Sequence, residues 1–270
     1  MTGAPSVDVL IPTRNRNCAL AVTLTALAAQ DLRAFRIIVS DQSDMPGAFA
    51  NAEVRAVLRY LGATGIQVVT LSHLPLRGMA EQRAFLLSQV RAPCCLFLDD
   101  DVIVESDLLG RLHRALQAQR CGFVGSALHG LSHVGQHRPE QQGIEFWEAA
   151  VAPERVGPSS PAWSRRHLHS AANLFHLQSR LALARASARP YKVAWVSGCV
   201  MFDTGKLRAA GGFDFWKDLP DAHCGEDVLA QLRVMEQFGG CGIVPSGAYH
   251  MELPSTLAGR QVSAPGVLHR

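Results

Sequence analysis

Short apolar runs that alternate with helix-like segments constrain the fold of this chain more than any other feature of its sequence. Four such runs occur in the first half, at residues 7–12, 35–40, 66–71 and 94–98. The segments between and after them are amphipathic or rich in Ala and Leu, which predicts helices at 18–30, 48–61, 78–90 and 105–119. This repeated order predicts a single Rossmann-like α/β domain with a mostly parallel central sheet and helices on both faces. Right-handed crossovers then collect the carboxyl ends of the strands along one edge, where ligands bind in open sheets.

The composition fits a globular protein and argues against several other classes. Of the 270 residues, 48% are hydrophobic and 18% charged, and the net charge of +3 is too small to indicate nucleic-acid binding. The apolar runs are shorter than the roughly 20 residues of a transmembrane helix, and the amino terminus lacks the features of a signal peptide. Seven cysteines without a CxxC pair are typical of reduced, buried thiols, so we expect a cytoplasmic location.

The second half of the chain is less regular than the first. The expected parts are 1–128, an irregular insert at 129–192, a second ordered part at 193–254, and a flexible tail at 255–270. The insert is predicted because Pro, Gly, Ser, His and Arg dominate it, as in long loops. In the second ordered part, an apolar run interrupted by Gly198 predicts a strand at 192–202, and a stripe of apolar residues predicts a helix at 225–240.

Three consecutive aspartates, Asp99–Asp101, follow the fourth apolar run directly. Adjacent carboxylates repel one another, so a site that keeps all of them ionised favours a hard divalent cation such as Mg²⁺ or Mn²⁺. A solvated acidic turn that caps the helix beginning near Glu105 explains the same residues without a metal, and the stretch alone leaves both interpretations open. Thr13 and Asp41 also follow predicted strands, so these side chains are expected to converge on one crevice.

A second acidic pair, Glu226 and Asp227, lies in the first turn of a predicted helix. Carboxylates at this position often only stabilise the free N–H groups of the helix start. A carboxylate that faces a crevice from a helix start also acts as a general base in enzymes. His250, near the end of the ordered part, is either a packed histidine or a neutral imidazole that completes a metal site.

Six fragments in order resemble the family-two glycosyltransferases of the GT-A fold. They are VDVLIPTRNR, FRIIVSDQSD, CCLFLDDDV, VSGCVMFDTGKLRAAGGFD, GEDVLAQLRV and GAYH. The resemblance covers roughly 7–128 and 193–252 and leaves 129–192 without a counterpart. It departs from the family pattern at Ser40 and Gln42, where the usual Asp and Gly are replaced, and in RGMAEQR, which differs from the usual Asn-Gly-Ala-Arg-Asn stretch. These differences bear on which base and which sugar the nucleotide-sugar donor of such an enzyme carries, and they leave the expected fold unchanged.

The resemblance implies a role for each matching position. The residues expected to bind the nucleotide sugar are Pro12, Thr13, Arg14, Asp41, Arg83, Asp99, Asp100 and Gly198. Asp100 is expected near the ribose, and Asp101 is expected to ligate the Mn²⁺ or Mg²⁺ that bridges the diphosphate, with His250 completing the metal site. Asp227, preceded by Glu226, corresponds to the general base that deprotonates the acceptor hydroxyl.

The family implies a nucleotide-sugar-dependent, metal-assisted, inverting hexosyltransferase, with a UDP-sugar favoured as donor, that builds a bacterial-type glycan or glycoconjugate. A sugar-phosphate nucleotidyltransferase is disfavoured because PTRNRN, after the first strand, contains no glycine. A catalytically silent, glycosyltransferase-like binding subunit is disfavoured by the intact carboxylates at both places.

The acceptor is the least defined part of this prediction. A glycan, a lipid-linked molecule and a small molecule all fit, and a peripheral contact with a membrane is compatible with the absence of a predicted transmembrane segment. Trp195, Trp216 and His223 are candidates for the acceptor side, although aromatic residues more often pack in the core.

Overall fold

Strands and helices alternate through the first half of the chain. The computed structural model describes residues 4–256 and 261–268. Its strands are β1 (Val7–Thr13), β2 (Phe35–Asp41), β3 (Gln67–Ser72), β4 (Cys94–Leu98), β5 (Val102–Val104), β6 (Phe123–Gly125), β7 (Arg189–Tyr191), β8 (Cys199–Asp203), β9 (His223–Cys224), β10 (Gly240–Val244), β11 (Ala248–His250) and β12 (Val262–Ser263). Its α-helices are α1 (Asn17–Ala28), α2 (Ala52–Ala63), α3 (Met79–Ser88), α4 (Leu108–Gln119), α5 (Asn173–Leu181), α6 (Thr204–Ala209), α7 (Glu226–Phe238) and α8 (Ala264–Leu268).

The described strands include an eight-stranded central sheet in the order β3-β2-β1-β4-β8-β6-β10-β7. Strands β3, β2, β1 and β4 pair in parallel, as do β6 and β10. Strand β8 runs antiparallel to both β4 and β6, and β7 runs antiparallel to β10. The mostly parallel α/β sheet predicted from the sequence is therefore confirmed. The reversal at β8 also means that its amino end, rather than its carboxyl end, lies beside the carboxyl end of β4.

Alternate residues of the strands enter two hydrophobic cores, one on each face of the sheet. Leu96 and Leu98 of β4 belong to the core packed by α1, α2 and α4, whereas Cys95 and Phe97 belong to the core packed by α3, α6 and α7. A strand buried on both faces is apolar at successive positions, which explains the uninterrupted apolar run at 94–98. Helices cover both faces of the sheet, as predicted.

A buried ion pair ties β1 to β2 near the amino end of β1. Arg36 donates to both carboxylate oxygens of Asp8 at 2.8 Å, and the backbone N–H groups of Arg91 and Ala92 also donate to Asp8. Burial raises the pKa of Asp8, but these donors outweigh it and hold the pKa below its usual value. The four donors allow a charged residue to be fully buried in this strand.

The insert at 129–192 is more ordered than its composition predicts. It contains a 3₁₀ helix, Pro161–His169, followed by α5 and β7. Arg165 joins its parts, since its guanidinium contacts Glu154 through two bonds of 2.8 Å and Glu145 at 2.9 Å. Helix α5 ends at Leu181, because the chain turns at Ala182 in the left-handed conformation.

Two further expectations about the second half need correction. The strand expected at 192–202 begins only at Cys199, because Gly198 has a φ of +77° and interrupts the extended chain. The tail from 255 is not loose throughout: β12 pairs with β9, and α8 packs against α7. Part of that tail, at 257–260 and 269–270, lies outside the described residues. None of the helices in the described ranges is long and apolar enough to cross a membrane.

Candidate active site

A large open cavity lies along the edge of the sheet where β1, β2 and β4 end. Its volume is about 1140 Å³. The segments that line it are the ends of these strands, the start of α3, residues 166–171 and 195–197, the turn 221–227 that leads into α7, and residues 250–256. The insert therefore supplies part of the wall opposite the strands.

Asp100 and Asp101 lie on the floor of the cavity, where β4 ends. The hydroxyl of Thr13, at the end of β1, donates to Asp100 at 2.7 Å. Strand β11 pairs with β5 so that His250 lies opposite Val102, and this places His250 Nε2 3.3 Å from Asp101 Oδ2. The pairing of two short strands thus joins residues that are far apart in the sequence.

The local environment raises the pKa values of Asp100 and His250 and lowers the pKa of Asp101. Burial raises the pKa of Asp100 to about 6, although the Thr13 hydroxyl and the Arg16 guanidinium oppose the shift. Burial acts in the same direction on Asp101, but His250 and Arg16 outweigh it and hold the pKa of Asp101 below its usual value. The hydrogen bond to Asp101 raises the pKa of His250.

Arg83 links the aspartates to the second acidic pair. Its guanidinium is buried and donates to Glu226 at 2.9 Å and to Asp99 at 3.2 Å. Asp227 follows Glu226 at the start of α7, and the hydroxyl of Ser197 donates to it at 3.3 Å. Burial and the neighbouring charge of Glu226 raise the pKa of Asp227 to about 7, against the effect of Arg83. A carboxylate with this pKa accepts a proton readily near neutral pH.

The acidic floor of the cavity already contains a protein cation. The Nη1 atom of Arg16 lies 2.7 Å from Asp101 and 3.2 Å from Asp100. No three His, Cys, Asp or Glu side chains of the described chain are grouped closely enough to hold a metal ion by themselves. The carboxylate and imidazole donors of Asp101 and His250 nevertheless suit Mn²⁺ or Mg²⁺, which often binds one or two protein ligands and completes its shell with phosphate oxygens. The residues present therefore fit such an ion, provided that Arg16 moves aside.

Most of the site residues expected from the sequence line this cavity. They are Pro12, Thr13, Arg14, Arg83, Asp99, Asp100, Asp101, Trp195, Glu226, Asp227 and His250. Thr13 and the three aspartates line the same cavity, as expected from their positions at strand ends. The ring of Trp195 packs against Trp163 of the insert at a centroid distance of 4.7 Å.

Four expected residues do not line the cavity. The carboxylate of Asp41 accepts hydrogen bonds from the backbone of Ser43 and Ala48, so it holds the turn after β2 in shape. His223 is buried, with Nδ1 bonded to the Pro220 carbonyl and Nε2 accepting from the Ala80 N–H, which leaves neither ring nitrogen for an acceptor.

The other two are Trp216 and Gly198. Trp216 packs against the core on the α3 and α7 face of the sheet. The carbonyl of Gly198 accepts from the N–H of Asp99, and a Cβ at this glycine would lie 2.4 Å from Leu128. Gly198 therefore lets the chain pass closely behind the aspartates.

Sequence reasoning missed several residues of the cavity wall. Arg16, Gln42 and Gln82 line it, as does His167 of the insert. Arg16 lies in the same PTRNRN stretch as Thr13, and a cation three residues beyond a strand end was the available signal. His167 carried no such signal, because a loop of this kind has no periodicity that orients its side chains.

Comparisons with known proteins agree with this architecture. The sequence profile described as glycosyl transferase family 2 matches residues 8–178. S. aureus TarS shares 17% identity, with a TM-score of 0.57, over 91% of this chain and 36% of that one. TarS 1–349 in complex with UDP-GlcNAc shares 15% identity, with a TM-score of 0.58, over 93% and 59%.

A third solved structure has the same fold. The mannosyltransferase PcManGT from Pyrobaculum calidifontis, in complex with GDP-Man and Mn²⁺, shares 15% identity, with a TM-score of 0.52, over 89% of this chain and 57% of that one. The chain thus spans less than two thirds of the length of these solved relatives. The search of curated proteins found no match.

Proposed function

This chain belongs to glycosyl transferase family 2, and we propose that it transfers a sugar from a nucleoside-diphosphate sugar to a hydroxyl acceptor with inversion and with the help of a divalent metal ion. The observation that carries the proposal is the presence of two carboxylate sets in one cavity. Asp100 and Asp101 lie with His250 and Arg16 at the end of β4, and Glu226 with Asp227 lies at the start of α7. A displacement with inversion needs this separation, because the leaving group and the attacking hydroxyl are on opposite sides of the reacting carbon.

The Asp100–Asp101 set would hold the leaving diphosphate. A Mn²⁺ or Mg²⁺ ion bound by Asp101 and His250 would supply positive charge to the diphosphate oxygens. Arg16, once displaced from Asp101, lies beside the same place and would donate to those oxygens. Asp100, which accepts from the Thr13 hydroxyl, would accept a hydrogen bond from a ribose hydroxyl.

The Glu226–Asp227 set would activate the acceptor. Asp227 takes the proton of the acceptor hydroxyl as that oxygen attacks the anomeric carbon, and the bond between this carbon and the diphosphate oxygen breaks. Arg83 keeps Glu226 in place and limits the rise of the Asp227 pKa. The Trp195 ring and the insert residues Arg166 and His167 then form the acceptor side of the cavity.

The UDP-sugar is the donor we favour, and two observations on relatives support a nucleotide-sugar donor. TarS was solved with UDP-GlcNAc and PcManGT with GDP-Man and Mn²⁺. A cytoplasmic site of action is part of the same proposal, since nucleotide sugars are small charged molecules that do not cross a bilayer unaided.

Incubation with a panel of nucleotide sugars and Mn²⁺, followed by mass spectrometry, tests this function. We expect release of a nucleoside diphosphate from one donor, loss of this activity in Asp227→Asn, and loss with EDTA. Release of pyrophosphate from a sugar phosphate and a nucleoside triphosphate would indicate a nucleotidyltransferase instead. Binding of nucleotide without hydrolysis or transfer for any donor and acceptor would indicate a silent binding subunit.

A further inference from the structure

The short stretch 195–197 joins the insert to β8 and belongs to no strand or helix, since β8 begins only at Cys199. Trp195 and Ser197 line the cavity, whereas Val196 between them is fully buried. The Ser197 hydroxyl donates to the proposed base Asp227 at 3.3 Å, and Trp195 forms part of the proposed acceptor side. The position of this stretch therefore determines how the acceptor side faces the base.

Gln231 of α7 pairs the backbone of Val196 in place of a neighbouring strand. Its side-chain oxygen accepts from the Val196 N–H at 2.8 Å, and its Nε2 atom donates to the Val196 carbonyl at 2.7 Å. Gln231 is 0% exposed, and buried backbone groups need partners within the protein because water does not reach them. One side chain thus satisfies both polar groups of a residue that lies outside the sheet.

The amide of Gln231 fits in one orientation. Its Nε2 atom also donates to the carbonyl of Asp227 at 3.1 Å, so both amide hydrogens are used. If the amide turned over, its oxygen would face two carbonyl oxygens and its nitrogen would face the Val196 N–H. These three hydrogen bonds, which we call the Gln231 clamp, link the stretch 195–197 to the turn of α7 that carries the base.

Two further contacts restrain the same stretch. A Cβ at Gly125 of β6 would lie 2.5 Å from the Val196 Cβ, so the bare backbone of β6 lies directly against the Val196 side chain. The carbonyl of Gly198 accepts from the N–H of Asp99 at 3.0 Å. These contacts fix the stretch to the sheet and to the aspartates, and the Gln231 clamp fixes it to α7.

The transfer step depends closely on the placement of the acceptor relative to the base. A base takes a proton only from a hydroxyl within hydrogen-bond reach, so a small displacement between the acceptor side and Asp227 slows the reaction. We propose that Gln231 is a positioning residue for the transfer, which holds Trp195 and Ser197 in place relative to Asp227. This inference rests on the proposed function and deepens it. Gln231 is buried behind the cavity wall and acts through these neighbours rather than on the substrate.

Gln30 provides a matched control at a distance from the cavity wall. It is also buried, and its Nε2 atom donates to the carbonyl of Glu105 at 2.9 Å and to that of Ala26, four residues earlier. Its oxygen accepts from the Leu109 N–H at 3.0 Å. Gln231→Met and Gln30→Met therefore remove the same kind of bonds while keeping the length of the side chain, and both should lower the melting temperature by a few degrees. A purely structural role of Gln231 predicts that the two variants behave alike in every other respect.

The rate of the chemical step is the first measurement. Single-turnover release of UDP is followed with the UDP-sugar that wild type cleaves, in the presence of Mn²⁺. We expect Gln231→Met to lower this rate about a hundredfold, the effect of a misplacement of about 1 Å, and to keep the Kd of UDP within about twofold of wild type. Gln30→Met should retain both the rate and the Kd of wild type.

The titration of Asp227 is the second measurement, and it needs no substrate. The hydrogen bond from Ser197 favours the ionised carboxylate, so its loss in Gln231→Met should raise the pKa of Asp227 from about 7 to about 7.5. Carbon-13 NMR of labelled aspartate carboxyl groups measures this titration, and the signal missing from Asp227→Asn assigns it. Ser197→Ala should give the same upward shift, and the double variant Ser197→Ala/Gln231→Met should give no larger one.

The outcomes separate the inference from the proposed function. Equal rates for Gln231→Met and Gln30→Met overturn the inference alone, as does a titration of Asp227 that is unchanged in Gln231→Met. Failure of folded wild type to cleave any nucleotide sugar overturns both, because a positioning residue needs a reaction to serve.

Discussion

Single residues of the cavity have protonation states that follow from their immediate neighbours. Asp227 has a pKa near 7 because burial and the charge of Glu226 both disfavour its ionised form. Arg83 works in the opposite direction and contacts both acidic groups that flank the reacting space. The proton affinity of the proposed base is therefore set by burial and the charges of Glu226 and Asp99, which raise it, and by Arg83, which lowers it.

This balance predicts the pH dependence of the transfer step. Below its pKa of about 7 Asp227 is protonated and cannot accept a proton, so the single-turnover rate should rise with pH through about 7 and then level off. Glu226→Gln removes the repelling charge, which should move the midpoint to lower pH. A rate that is flat across this range, or a midpoint that moves upwards in Glu226→Gln, contradicts the assignment of Asp227 as the base.

Arg16 leads to a second prediction, about metal affinity. Because its guanidinium contacts both Asp100 and Asp101, an incoming Mn²⁺ ion must displace it. We expect Arg16→Gln to bind Mn²⁺ without nucleotide about tenfold more tightly, equivalent to ~1.4 kcal/mol, as measured by electron paramagnetic resonance. Arg166→Gln removes a cation from the same cavity without touching the aspartates and should leave the affinity unchanged. Weaker binding by Arg16→Gln would mean that Arg16 does not compete with the ion.

The acidic motifs were predictable from the sequence, whereas contacts between side chains that are far apart in the sequence were not. The three aspartates and the Glu226–Asp227 pair stand out because carboxylates follow apolar runs or begin a helix. The role of Arg16 depends on the contacts with Asp100 and Asp101 that folding creates, and no spacing in the sequence encodes them.

At the scale of secondary structure, the first four strands were predicted to within one residue of each end, and most helices to within two or three. The periodicity succeeds here because β1, β2 and β4 are buried on both faces and each helix on one. It fails for the region from 192, where Gly198 interrupts an apolar run, and for the tail, where β12 and α8 are too short to show a period. Short elements are held by tertiary contacts, so their own sequence carries little information.

The last helix gives a prediction at this scale. In α8, Ala264 is fully buried in the core that α7 also enters, and the adjacent Pro265 lies close to Gly225, just before Glu226. Ala264→Glu would bury a charge there, so we expect the melting temperature to fall by about 5 °C or more and the turnover number to fall with it. Val267→Glu on the same helix is 47% exposed and serves as the control, with little change expected. An unchanged melting temperature in Ala264→Glu would show that α8 does not support α7.

At the scale of the whole molecule, the cavity lies between two parts that differ in regularity. The ends of β1 and β4, with Arg16 and His250, supply the groups proposed for the donor, and the insert, the chain before β8 and the start of α7 supply those proposed for the acceptor. The fold class and the convergence of Thr13 with the aspartates were predictable, because they follow from periodicity and strand ends. The acceptor side depends on an insert whose shape is fixed by contacts such as those of Arg165.

Arg165 provides the prediction at this scale. Its bonds to Glu145 and Glu154 join separate parts of the insert, and Arg166 and His167 on the cavity wall follow it directly. Arg165→Met should raise the KM for the acceptor several-fold and leave the Kd of the nucleotide within about twofold, as steady-state kinetics and calorimetry can measure. Arg155→Met, whose side chain is 70% exposed, is the control. Equal losses for both substrates would contradict a role confined to the acceptor side.

The reversed direction of β8 has a consequence for how this scaffold can diversify. Because β8 enters the sheet from the cavity, Trp195 and the insert residues proposed to face the acceptor precede it within one continuous stretch, 166–197, whereas the proposed base Asp227 follows it. The groups proposed for the donor come from separate elements, namely the ends of β1 and β4, the start of α1, and β11. Grafting of the single stretch 166–197 would therefore exchange contacts with the acceptor while leaving the donor groups and the base in place.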